Sequence, residues 1–335
     1  MMKIDIFNHI FPPKYYDKMM AVNPNLADIG KRVRNVPVLV DLEARFRVMD
    51  QFDEYVQVPS IAAPPLERIA GPDITPELAR IANDGMAEYV QKYPDRFPSF
   101  VASLPMNNPD AALDEIDRAI KDLKAGGVQF FTNINGAPLD LPEIKPLFEK
   151  MNQYDLPIWL HPERGADFPD YLTEKKSKYE IWWTFGWPYE SSAAMARIVF
   201  AGYFDQFPDL KIITHHMGAM IPFFEGRVGP GWDQLGTRTS DEDYTILLKQ
   251  LKKRPLDYFK MFYTDTALFG SVAGTKCGLE FFDVDMVLFA SDSPFDPEKG
   301  TAYIRETIKI LEELSISETD RRKIFEGNAK KLLKL

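Results

Sequence analysis

The chain has 335 residues, 45% of them hydrophobic and 13% aromatic, enough for one large barrel or two average domains. A formal charge of -10 without any Lys/Arg-rich run argues against nucleic acid as a partner, and the lone Cys277 excludes an intrachain disulfide and cysteine-rich metal sites. No apolar stretch approaches the roughly 20 residues that cross a bilayer, and MMKIDIF enters strand-like sequence at once, so no membrane contact and a cytoplasmic location are expected.

In chain order, KIDIF (3–7) reads as a first strand, followed by Asn8-His9 and stopped by Pro12-Pro13. A helix at 40–52 leads to a strand at 54–60, and a helix at 75–93 to a strand at 97–104. A helix at 108–123 precedes a strand at 127–131, and a helix at 141–154 precedes PIWLH (157–161). A long helix at 190–207 then gives way to LKIITHH (210–216). KMFYTDT (260–266), a helix at 271–282, DMVLFASD (285–292) and a helix at 301–314 complete the series. The helical segments open on turn or cap residues and space their apolar positions three or four apart.

Eight strands alternating with helices predict an α/β fold, a (β/α)₈ TIM barrel with its active site at the carboxyl ends of the strands. The rival, a doubly wound sheet, usually shows a glycine-rich first turn, and FNHIFPP has no glycine. We expect one domain over 1–335, with segments 11–39 and 227–259 as lids on one mouth. The tail SETDRRKIFEGNAKKLLKL reads as a helix pair packed outside the barrel.

The four histidines direct the functional reading. His9 follows the first strand, His161 ends the fifth, and His215-His216 end the sixth, while Asp292 ends the eighth in FASDSPF. Taken singly, His9 and Asp292 read as hydrogen-bonded loop residues. Together, all five fall at one rim of a barrel, where two imidazoles and a carboxylate suit a divalent ion. His9, His161 and Asp292 form that three-ligand set, with an open position for substrate.

The stretches IDIFNHIFP, RFRVMDQFD, LHPERG, THHMGAMIPFFEGRV, YTDTALFG and FASDSPF, in this order over residues 4–295, resemble the amidohydrolase superfamily. More narrowly the chain is similar to the amidohydrolase-2 group, typified by aminocarboxymuconate semialdehyde and γ-resorcylate decarboxylases. The resemblance implies that His216 is the catalytic histidine, that His9, His161 and Asp292 hold Zn²⁺ or Mn²⁺, and that the chain forms a homodimer or homotetramer. It places Arg227 near the site, although a salt bridge in the barrel wall serves equally well, and His215 in a structural role. Phe7 departs from the pattern, since family members place His or Glu there and Phe has no lone pair to give.

The implied reaction is non-oxidative decarboxylation of a hydroxylated aromatic or muconate-like acid, with His216 and Asp292 moving the proton that replaces CO₂. A metal-dependent hydrolase of a lactone, ester or amide would use the same residues. A weakened, ligand-binding barrel is a third reading. For substrate contacts, Trp187 stands in the aromatic loop IWWTFGWPY (181–189), and Glu163 and Arg164 directly follow the His161 strand end. Arg45 and Arg47 read as solvated helix charges, although the resemblance gives an arginine of this region, Arg47, a grip on the substrate carboxylate. Thr264 and Asp265 end the seventh strand, where they could orient His216.

Overall fold

The structure is a computed structural model that describes residues 1–238 and 243–335. Its strands are β1 (Lys3–Ile10), β2 (Tyr55–Ile61), β3 (Val101–Ser103), β4 (Gly127–Phe131), β5 (Ile158–His161), β6 (Ile212–Thr214), β7 (Tyr263–Asp265) and β8 (Val287–Leu288). Every pairing is parallel, and short runs such as GVQFF and IIT are buried along their whole length. That is the pattern of a sheet covered on both faces, which is why these runs are apolar without alternating.

β3 to β8 form one sheet in chain order, and β1 pairs with β2 in a second ladder. Past the end of β8 the chain bonds to β1, through Ile6 N to Phe289 O (3.1 Å), Asp292 N to Phe7 O (2.8 Å) and His9 N to Ser293 O (2.8 Å). These three bonds set Asp292 beside His9. Gln129 on β4 reaches the Ile61 carbonyl of β2 (3.0 Å), although no ladder joins β2 to β3 among the described residues. The architecture is the expected (β/α)₈ barrel.

Its lumen is filled. Trp159 on β5 is fully buried and donates its indole N–H across the barrel to the Ile6 carbonyl on β1 (2.8 Å). Ile4, Phe7, Val58, Ile213 and Leu288 pack with it in one cluster. Ala329, Leu332 and Leu333 belong to the same cluster, which corrects the expectation that the tail packs outside. Asn328 anchors that segment by donating to the carbonyls of Val284 (2.8 Å) and Val287 (2.7 Å), so the tail closes the barrel core from β8.

Helices lie where periodicity places them, at Leu42–Met49, Thr75–Lys92, Pro109–Lys121, Lys145–Tyr154, Gly186–Phe200, Val272–Phe281 and Ala302–Glu313. The helix expected over 190–207 breaks at Gly202, whose φ of 68° ends it, and restarts as Tyr203–Gln206. Segment 11–39 folds into Pro13–Val22, Gly30–Val33 and a turn at Pro37–Leu39. Segment 227–259 contributes short turns and helices at Arg227–Gly231, Trp232–Gln234, Thr245–Gln250 and Pro255–Phe259, while its residues 239–242 lie outside the described residues. Among the described residues no helix is long and apolar enough to cross a membrane.

Candidate active site at the strand ends

The four histidines and Asp292 converge around one buried phenylalanine. The Phe7 ring stacks on His215, with centroids 3.4 Å apart and planes 15° from parallel. It meets His9 at 4.7 Å, His161 at 5.4 Å and His216 at 5.7 Å. Phe7 is fully buried, so an apolar ring fills the centre of the imidazole cluster.

His9 is held from several sides. Its Nε2 lies 3.1 Å from Asp292 Oδ1 and its Nδ1 3.1 Å from Ser60 Oγ. Its carbonyl accepts from the Arg45 guanidinium, which also donates to Gln57, to Asn8 Oδ1 (3.3 Å) and to the Val38 carbonyl (3.3 Å). Arg45 is fully buried, and burial lowers its pKa to about 10. Its helix is started by Asp41, whose carboxylate accepts from Glu43 N (2.9 Å) and Ala44 N (3.1 Å). Arg45 was read as a solvated charge, and the structure corrects this. Leu42, Arg45, Phe46 and Met49 form the inward i, i+3, i+4, i+7 stripe of that helix, a signal present in the sequence.

Arg47 lies off that stripe, which corrects its reading as a substrate contact. Its side chain is 68% exposed, with Glu43 at 4.0 Å as its ionic partner. Arg227 is also exposed, its guanidinium 5.9 Å from the Phe224 ring, and no contact among the described residues ties it to the histidines. The barrel-wall salt bridge offered for it is not seen among the described residues either.

His161 sets its Nδ1 against the Pro162 carbonyl at 2.7 Å, so Nδ1 carries the proton and Nε2 the lone pair. Burial holds its pKa well below the ordinary value, and neighbouring His9 and His215 push it the same way. Asp265 organises the β6 end. It accepts from the His215 ring, from His216 N (3.0 Å) and from Ala267 N (3.0 Å). His216 then sits in the left-handed region at φ 58°, as does Asp292 at φ 62°. His216 Nε2 is buried, has no hydrogen-bond partner among the described residues and lies 3.6 Å from Asp292 Oδ2.

Burial works against charge on both members of this pair, yet their contact prevails. Asp292 raises the His216 pKa, and His216 with His9 holds the Asp292 carboxyl well below the usual carboxylate range. The pair is therefore an ion-pair-like proton donor and acceptor at the rim.

Two imidazoles and a carboxylate match a divalent cation by donor type. His161 offers a free lone pair, and the 3.1 Å between His9 Nε2 and Asp292 Oδ1 is close to the separation of neighbouring ligands on one ion. The donors are not closed into a cage, however. Among the described residues no group of three His, Cys, Asp or Glu side chains is gathered to hold a metal, and the Phe7 ring, which has no lone pair to give, packs among the imidazoles.

Trp187 donates its indole N–H to the Arg164 carbonyl (3.1 Å), and its ring centroid is 5.9 Å from that of His161. Glu163 is nearly buried, and burial pushes its pKa up to about 7. Both line a cavity of about 270 Å³ that no histidine lines, walled on its other side by residues 23–29 of the first predicted lid. Glu67, on the same cavity, was missed; in LERI it looks like an ordinary helix charge.

A family model described as Amidohydrolase matches residues 4–335. A γ-resorcylate decarboxylase of Polaromonas sp. is 32% identical over 313 residues, covering 89% of each chain. The 2-amino-3-carboxymuconate-6-semialdehyde decarboxylase of Dictyostelium discoideum is 26% identical over 350 residues, covering 100% of this chain and 92% of that one. Among solved structures, a dihydroxybenzoic acid decarboxylase of Polaromonas sp. with bound manganese and the inhibitor 2-nitroresorcinol superposes with a TM-score of 0.78 at 29% identity, covering 100% of this chain and 97% of that chain.

Proposed function

Because the chain belongs to the amidohydrolase family, we propose that it is a carboxy-lyase that removes CO₂ from a hydroxylated aromatic acid without an oxidant. The observation that carries this reading is His216, whose buried, unpartnered Nε2 is backed by Asp292 at 3.6 Å. Decarboxylation needs one group that can place a proton on the ring carbon bearing the carboxylate. A rim imidazole whose charged form is supported by a carboxylate meets that need.

His216 gives its proton to that carbon, the C–CO₂ bond breaks, and its electron pair restores the aromatic ring. Asp292 stabilises the imidazolium before transfer, and His216 regains a proton from solvent afterwards. Asp265 fixes the backbone turn that aims His216, and Arg45 fixes the strand that carries His9. When bound, one divalent ion, Zn²⁺ or Mn²⁺, held by His9, His161 and Asp292 would supply Lewis-acid charge to the substrate's carboxylate and hydroxyl oxygens. Glu163 and Trp187 would face the far side of the ring.

Hydrolysis would call on the same residues, but the relatives found are decarboxylases, which supports C–C cleavage over it. The test is CO₂ release from a panel of hydroxybenzoates by protein loaded with Zn²⁺ or Mn²⁺, set against hydrolysis of lactones. We expect CO₂ from at least one hydroxybenzoate, and His216→Asn should slow it by about 10²–10⁴-fold. Lactone hydrolysis without CO₂ release, or full activity in His216→Asn, would overturn the reading.

A further inference from the structure

The rim has a wall on its β8 side that the mechanism does not use. Phe269, just past β7, holds its backbone in the left-handed region at φ 55°, a strained place for so large a residue, yet it is 40% exposed. Core packing therefore does not account for the strain. The Phe269 ring lies 5.4 Å from that of His216 and 4.5 Å from that of Tyr303. The side chains of His216 and Asp292 are themselves 9% and 10% exposed, so a ligand can reach the rim at this point.

Arg32, in the segment over this mouth, extends the wall. Its guanidinium sits 5.3 Å from the centre of the Phe295 ring, and that ring is 5.6 Å from His9. It also stands within hydrogen-bond reach of the Tyr303 hydroxyl. Burial raises the pKa of that hydroxyl, the Asp292 charge adds to the effect and Arg32 opposes it, so Tyr303 feels both charges. Asp296, another acid that Tyr303 feels, has its carboxylate engaged by Glu298 N (2.8 Å) and Gly300 N (2.9 Å). Among the described residues no carboxylate forms an ion pair with Arg32, and the flanking Lys31 and Arg34 make none either. A ring and a neutral hydroxyl thus orient the exposed guanidinium without neutralising it. In a chain of net charge -10, this is a preformed positive site close to the histidines.

We propose that Phe269, Tyr303 and Arg32 form the β8 side of the substrate site, across the rim from Trp187, and select a ring that carries a second carboxylate. Phe269 and Tyr303 wall the ring, and Arg32 takes the second carboxylate in a charge-assisted contact while the first lies at the histidines. The word substrate rests on the decarboxylase reading, whereas the affinity for a ring-borne dianion does not.

Benzene-1,3- and 1,4-dicarboxylate, each set against its own monoamide, test the assignment, because each pair is nearly equal in shape and one charge apart. In calorimetric titrations of the whole protein with Mn²⁺ present, at least one diacid should bind about tenfold tighter than its monoamide, or more. Arg32→Gln should abolish that preference and leave monoamide binding unchanged. Arg34→Gln removes the same charge two positions along the segment and should keep the preference. Phe269→Ala should weaken diacid and monoamide alike, by about tenfold. Equal affinity of the wild type within both pairs, a preference that survives Arg32→Gln or falls as far in Arg34→Gln, or undiminished binding in Phe269→Ala would overturn the assignment. If a variant does not fold, judged by circular dichroism, the wild-type pairs of probes still decide. CO₂ release from hydroxybenzoates without a preference for the dianion would sink the subsite alone, and that preference without CO₂ release would sink the decarboxylase reading alone.

Discussion

Replacing Glu67 by Gln should remove most of one term in the pH dependence of stability. Burial is the main reason that the Glu67 carboxyl is pushed up to about 8 from the ordinary 4.5, and Glu163 nearby adds to it. The folded chain thus keeps this proton up to about pH 8, whereas the unfolded chain releases it near 4.5. Between those values the folded state holds the extra proton, so stability falls as pH rises and levels off above about 8. At about 1.4 kcal/mol for each tenfold in proton affinity, the span is worth roughly 5 kcal/mol, a ceiling that water entering the cavity lowers. Gln keeps the shape of the protonated acid and has no charge to bury. Glu67→Gln should therefore differ little from wild type at pH 5 and be more stable by up to about 5 kcal/mol at pH 8.5. Urea unfolding followed by circular dichroism at pH 5, 6.5 and 8.5 measures the difference. A difference that stays constant over that range would refute the buried-acid argument.

Substitutions at three further positions probe the site's supports. Arg45→Met leaves the His9 carbonyl and the Gln57 amide oxygen without their donor, and should cost on the order of 3 kcal/mol. Arg45→Lys should recover only part of this because it lacks the planar fork, and an unchanged melting temperature in Arg45→Met would contradict the clamp. Phe7→Glu adds a carboxylate at the centre of the imidazoles and should tighten Mn²⁺ binding at least tenfold in equilibrium dialysis with metal analysis. Unchanged affinity would mean that the ring does not stand in a ligand position. Asp265→Asn should lower CO₂ release by about 10- to 100-fold with little loss of fold, because it loosens the turn that aims His216. Full activity would assign that aim to the backbone alone.

Much of this arrangement was legible before any coordinates, and the reason is topological. A parallel barrel sends every strand's carboxyl end to one rim, so His9, His161, His216 and Asp292 needed only correct strand assignments to be brought together. The departure at Phe7 was equally plain, since residue type alone shows a missing donor. Its consequence was not, because the stacking on His215 depends on χ angles and on the Asp265 contact that turns that ring. Arg45 and Arg47 show the same limit from the other side. Two arginines two positions apart on a helix differ by about 200° around its axis, so one enters the core while the other meets solvent. Reading charge before periodicity missed that Arg45 is the one turned inward, where it holds the His9 strand. Glu67 lay further out of reach, because nothing in LERI distinguishes an exposed acid from a buried one until the loop at 23–29 and the Glu163 strand end close over it. What the sequence hides in this protein is the satisfaction of its polar groups. A residue's chemistry is given by its type, but whether that chemistry is spent on the fold depends on which partners arrive from distant segments, as the Arg45 guanidinium, spent on His9 and Gln57, shows.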